Sequence, residues 1–186
     1  MAASTYTENG QVVLDQKVIL GEQYLAAYSV ATAGVSLSTT ASHSLEIMAG
    51  ASLNVRIRRI EVFLAAAGTA AQPQFILYRL SSAGTGGTVY TPTPMDPSDP
   101  PSGATAMTLP TVKGTEGVYV QAVACNTTTT SNIAIGYKMF EVDFDKMPRF
   151  KSLLIPAGAS NGIAIKMAGS STAQVFINVW FTEAGF

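Results

Sequence analysis

The sequence predicts an all-β fold, an antiparallel two-sheet sandwich or barrel of about eight strands. Three observations carry this. Apolar residues recur at every second position along most of the chain, and no segment shows the 3.6-residue repeat of an amphipathic helix. Clusters of Gly, Pro, Asn and Ser punctuate these runs at short intervals. Hydrophobic residues make up 47% of 186 residues, enough to fill the core of one domain.

Residues 1–23 read as an N-terminal arm and residues 24–186 as a single β-sandwich domain. Tyr24 to Val30 is the first strand. Ser44 to Met48 places Leu45 and Ile47 on one face, and Gly50-Ala51-Ser52 turns the chain. In VRIRRIEVFL the apolar positions are Val55 and Ile57, then Ile60, Val62 and Leu64. The phase slips at Arg58-Arg59, and a β-bulge there lets the apolar face continue inward. Gln74 to Leu80 is apolar on both faces, as in a strand covered on both sides or lying at an interface.

Ser81 to Thr111 is a long Pro/Gly/Thr-rich loop. Its prolines exclude a central strand, and Thr88 to Thr91 adds a short edge strand. Loops of this length are unusual in compact domains and are commonly functional or disordered. Gly117 to Cys125 is a strand with Val118, Val120, Ala122 and Ala124 opposite Tyr119, Gln121 and Val123. NTTTTSN then turns the chain. Between Ile133 and Phe144, Ile133, Ile135, Tyr137 and Met139 share a face. A bulge near Met139-Phe140 hands the apolar role to Phe140, Val142 and Phe144. Leu153 to Ile155, Gly162 to Met167 and Ala173 to Thr182 complete the set. In the last, Val175, Ile177, Val179 and Phe181 face one way, and Trp180 reads as core.

Composition excludes several functions. Charged residues are 12% of the chain, about half the usual roughly 25%, and the net charge is −1. A surface this poor in charge is weakly defended against association and resembles an interface centre. It gives no general electrostatic attraction to nucleic acid or an acidic membrane. The arm carries Lys17 against Glu8, Asp15 and Glu22, so it is not a basic genome-packaging arm. No secretory signal and no membrane helix are visible, which points to synthesis in the cytoplasm. Cys125 is the only cysteine, so no internal disulfide forms, and it reads as a small apolar residue. Asn126-Thr127-Thr128 is a polar loop rather than a glycosylation site.

The constellations that could carry chemistry are sparse. His43 is the only histidine, no G-x-S-x-G elbow is present, and a structural or solvated role is expected for it. One His and one Cys do not make a zinc or cupin-type centre. Gly84-Thr85-Gly86-Gly87 lacks a P-loop lysine and reads as a flexible loop. Glu141, Asp143 and Asp145 share a strand face opposite Val142 and Phe144. Ca²⁺ could balance such a row, but Lys138, Lys146 and Arg149 are the expected partners. Arg56 and Arg58 lie on an outward face, with Arg59 displaced by the bulge. They are expected to meet carboxylates such as Glu141 and Asp143 across strands or subunits, not nucleic acid.

The runs HSLEI and ASLNVRIRRIEVFL, then QFILYRL and a Gly/Thr/Pro-rich loop, resemble a group of small tailed-bacteriophage virion structural proteins. FKSLLIPAGASNGIAIKMAGSSTAQVFINVWFTE continues the likeness, which spans roughly His43 to Glu183. The resemblance implies a jelly-roll sandwich located in the virion. It implies a capsid decoration or cement protein, bound to the major capsid protein or other virion proteins, without catalysis or cofactor. A homo-oligomer is expected with it, a trimer being the form the architecture suggests. The expected contacts are the arm, the loop from Gly84 to Thr108 with Tyr90, Pro92, Pro94 and Met95, and the arginines Arg56, Arg58 and Arg59. The loop is expected to be removable without unfolding the sandwich. The alternative is a host-recognition or carbohydrate-binding module, a fibre head or tail tip, with Tyr90 and Tyr119 as sugar platforms.

Overall fold

The structure is a computed structural model that describes residues 5–8, 11–14, 25–37, 42–68, 74–124, 136–146, 152–168 and 171–184. Tyr24, Cys125 to Ile135 and Arg149 lie outside the described residues. The strands in chain order are β1 (Thr5–Glu8), β2 (Gln11–Leu14), β3 (Ala26–Ala31), β4 (Val35–Ser36), β5 (His43–Met48), β6 (Asn54–Ala66), β7 (Gln74–Leu80), β8 (Thr88–Tyr90), β9 (Thr93–Pro94), β10 (Thr105–Thr108), β11 (Glu116–Ala124), β12 (Lys138–Asp143), β13 (Leu153–Ile155), β14 (Gly162–Ala168) and β15 (Gln174–Ala184). Among the described residues there is no helix.

Eight of these strands form four nested antiparallel pairs: β3 with β15, β5 with β14, β6 with β12, and β7 with β11. The chain is thus one long hairpin, rolled so that successive pairs fall in alternate sheets. One sheet runs β12-β6-β15-β3-β9, with β13 on β6 and β4 on β15, and the other runs β11-β7-β14-β5-β10-β8. This is the jelly-roll arrangement.

The core fills the space between the sheets. Val55, Ile57, Ile60, Val62 and Leu64 of β6 and Val175, Ile177 and Val179 of β15 are fully buried. They pack with Leu45, Ile47, Phe75, Leu77, Ile163 and Ile165 of the opposite sheet. Each such side chain stabilises the fold by about 1.5–3 kcal/mol through burial.

The bulge expected in VRIRRIEVF is present. Arg59 lies opposite Trp180 and Ile57 opposite Phe181, so Arg58 is the extra residue. In β12, Lys138 lies opposite Phe63 and Phe140 opposite Val62, so Met139 is the extra residue. Phe140 stacks on Phe75 across the core, with ring centroids 6.2 Å apart.

Four expectations need correction. Trp180 is not core: it alternates with Val179 and Phe181 and stands half-buried on the outer face. Tyr137 precedes β12 and is exposed, so it shares no core face with Met139. The arm contains a hairpin, with Glu8 opposite Gln11 and Thr5 opposite Leu14. The sequence signal available for it was an Asn-Gly pair between two short runs, a strong short-range indicator of a hairpin.

The fourth concerns the long loop, which is not irregular throughout but is built into both sheets. β10 pairs with β5, β8 with β10, and β9 with β3, so the segment caps an open edge of both sheets. Ala104, Ala106 and Thr108 are buried. The Glu183 carboxylate accepts hydrogen bonds from Ser102 Oγ at 2.7 Å, Gly103 N at 3.0 Å and Ala104 N at 2.9 Å. The Tyr28 hydroxyl donates to the Pro100 carbonyl at 2.9 Å.

Candidate functional site

The described residues offer three groupings from which a site could be built. The first is a polar cluster around His43. The β5–β14 ladder places Lys166 opposite His43 and Ile165 opposite Leu45, so Ser44 is a bulged residue. That slip brings His43 to the face that carries Glu46. Nδ1 of the buried ring lies 2.5 Å from Glu46 Oε1, and Nε2 lies 3.1 Å from Glu116 Oε1.

Glu46 also accepts from the backbone N–H of Gly84 at 2.7 Å and Gly114 at 2.8 Å. Burial alone would raise its pKa, but the hydrogen bonds from His43, Gly114 and Gly84 outweigh it and hold the carboxyl below its ordinary value. Glycine is needed at both backbone positions. A Cβ at Gly84 would lie 2.7 Å from the Val112 carbonyl oxygen, and one at Gly114 would lie 2.3 Å from that of Ser82. The Gly84-Thr85-Gly86-Gly87 stretch is therefore a seat for the connection rather than a flexible loop. Glu116 accepts from Lys113 at 2.7 Å and Lys166 at 2.8 Å. Against the opposing effect of burial, Lys113, Lys166 and His43 lower its pKa to about 2. The cluster binds the connection to the outer face of β5, and its acceptors and donors are spent on one another.

The second grouping is the charged outer face of β6 and β12. Arg58 bonds Asp145 at 3.0 Å, and Arg59 bonds Glu61 at 2.5 Å and Glu141 at 2.8 Å. Lys138 reaches Glu61 at 2.9 Å and Glu141 at 2.8 Å, and Lys146 reaches Asp143 at 3.1 Å. The guanidinium of Arg59 sits 5.6 Å from the Trp180 ring centroid. Arg56 donates to Ser152 Oγ at 3.4 Å. The expected arginine–carboxylate pairing thus occurs within the chain, with Asp145 rather than Asp143 as the partner of Arg58. Among the described residues no group of three His, Cys, Asp or Glu could hold a metal ion.

The third grouping is apolar and exposed. β11 pairs with β7 on one side, and no strand pairs with its other side among the described residues. Val118 is 71% and Tyr119 65% exposed, and Val120 is exposed beside them. From Gly117 to Ala124 the strand carries no charge. β12, the outermost strand of the other sheet on this side, carries Lys138, Glu141 and Asp143 instead. Charges of that kind protect an edge from pairing, and β11 carries none beyond Glu116 at its start. The β11–β7 ladder has two register irregularities, between Glu116 and Tyr119 and between Tyr119 and Gln121. Phe63 and Phe176, opposite one another in the β6–β15 ladder, add a second apolar patch on the outer face. Phe176 is exposed there.

The loop residues expected at an interface are divided by the fold. Met95 is exposed, Pro92 is buried, and Pro94 pairs with Tyr28. Tyr90 packs against the core and its hydroxyl accepts from Ala33 N at 3.2 Å. The arginines are spent on carboxylates or hydroxyls of their own chain, and the β11 edge presents more apolar surface than either set. Compared with family models, curated proteins and solved structures, the chain matches none.

Proposed function

We propose that this chain is a non-enzymatic structural subunit that works by protein–protein association. The observation that supports this most is the uncharged, apolar β11 edge with Val118 and Tyr119 turned to solvent. Exposed apolar surface on a paired-sheet edge favours association. The low charge of the chain points the same way. The sequence resemblance to tailed-bacteriophage virion proteins narrows the reading to a capsid decoration or cement protein. Its partner is the major capsid protein, and its mechanism is stabilisation of the assembled shell by binding that state alone. Immunogold electron microscopy of purified particles tests it. Regular label over the head is expected; particles without label overturn it.

A second reading, host or carbohydrate recognition, draws on Tyr119 and Tyr137, two exposed aromatic rings. Label confined to a tail tip together with reproducible glycan-array hits would favour it over the first.

A further inference from the structure

One end of the sandwich is open between its sheets, and an arginine stands in it. Arg79 of β7 lies opposite Ile163 in the β7–β14 ladder, as Leu77 lies opposite Ile165. Ile163, Ile165 and Leu77 are core residues, so Arg79 points to the inner face. A cation on the inner face of a sandwich is unusual unless something pairs with it. Its guanidinium donates to the backbone carbonyl of Leu154 on β13, a strand of the opposite sheet.

That acceptor is neutral, and a guanidinium has five N–H donors to place. Among the described residues the ion pairs engage Arg58, Arg59, Lys113, Lys138, Lys146 and Lys166, and no carboxylate lies against Arg79. Burial lowers its pKa, with no neighbouring carboxylate acting the other way. The cleft beside it has a volume of about 410 Å³ and is walled by Leu80, Leu154, Ile155, Pro156 and Asn161. Small-molecule sites span roughly 300–1,000 Å³ and combine apolar walls with a few placed polar groups.

We propose that this cleft binds a carboxylate carried on an apolar body, the acid group on Arg79 and the apolar part against Leu80, Leu154, Ile155 and Pro156. Guanidinium and carboxylate match in charge and in planar two-bond geometry. A monoanion fits better than a phosphate dianion, because the cleft walls add no second cation. The acid could come from a small carboxylic acid or from the C-terminus of a protein chain. This inference stands apart from the assembly reading and survives its failure.

The test is a titration of the full chain by NMR, with hexanoate and hexanol as probes. Hexanoate is expected to shift the Arg79 Nε–H and the Leu154 and Asn161 amides saturably, while hexanol at equal concentration does not. Arg79→Met is expected to weaken hexanoate at least tenfold. Equal shifts from both probes, or no saturable shift, would overturn the proposal. If Arg79→Met fails to fold, the comparison of the two probes on the native chain decides alone. A short peptide ending in Leu, with free and amidated C-termini, then identifies the source. Tighter binding of the free form than of hexanoate assigns a protein terminus, and weaker binding assigns a small acid.

Discussion

His43 and Glu46 lie three residues apart in β5, yet their side chains meet at 2.5 Å. A regular strand would send them to opposite faces. The bulge at Ser44 turns them to the same one. The pair then holds the long connection between β7 and β11 against the sheet, through Gly84 and Gly114.

Glu46→Ala strands three donors: His43 Nδ1 and the two glycine N–H groups. A loss of about 3 kcal/mol is expected, the range for breaking a buried, hydrogen-bonded charge. Urea unfolding followed by circular dichroism measures it. Glu46→Gln keeps an acceptor and should lose less.

Acid should weaken the fold through the same cluster. Glu116, lowered to about 2, and Glu46, also lowered, bind protons more weakly folded than unfolded. Their contribution is therefore complete above the ordinary value of 4.5 and is lost as pH falls toward about 2. Thermal midpoints measured from pH 6 to pH 2 should fall most steeply below about 4.5 in the native chain. In Glu116→Gln the descent should be shallower.

Glu183 ties the 102–104 segment to β15 by three hydrogen bonds. Glu183→Ala is expected to cost about 2–3 kcal/mol, because two backbone donors and a hydroxyl lose a charged acceptor. Deleting residues 84–108 should prevent folding altogether, since β10 and the buried Ala104 and Ala106 go with it. A cooperative urea transition in the deletion variant would show that the connection is dispensable after all.

Trp180 is the only tryptophan, so its fluorescence reports on one place. Arg59→Ala removes the guanidinium over its ring and one of the two cations on Glu61. Emission should move to longer wavelength as water reaches the indole. Arg58→Ala, whose guanidinium bonds Asp145 and Thr182, should leave it nearly unchanged.

Val118 is 71% exposed, so Val118→Asp should change stability by less than about 0.5 kcal/mol. The same change places a charge on the β11 edge. Binding to undecorated particles, measured by co-sedimentation, should fall at least tenfold. Unchanged binding would move the interface elsewhere.

The parts of this fold that were legible in the sequence are those where one face is core and the other is wet. Period-two alternation located β6, β14 and β15, and even exposed the Arg58 bulge, because the apolar phase slips there. It failed where the chain covers itself. Ser44, Glu46 and Met48 should have been the wet face of β5, but the returning connection buries them. Glu46 within HSLEI was the available signal, a charge in a strand otherwise ready for burial. Nothing local reveals that Gly84 and Gly114 will reach it, 38 and 68 residues away. The inward direction of Arg79 was implicit in QFILYRL, where it shares a phase with Phe75 and Leu77. Its place at the open end depends on β13, and pairing between distant strands is not written in either one.

β15 lies between β6 and β3, yet it is the last described strand in the chain. As the ribosome extrudes the protein, β3 and β6 emerge early and wait, each with an apolar inner face and an open edge toward an absent neighbour. Val55 meets Glu183 and Ile60 meets Val179 only when translation has passed more than a hundred further residues. Contacts this distant in sequence make folding slow and late. Nascent chains that stall short of β15 therefore present unpaired strands to one another, and crowding on polysomes is where this protein is most exposed to aggregation.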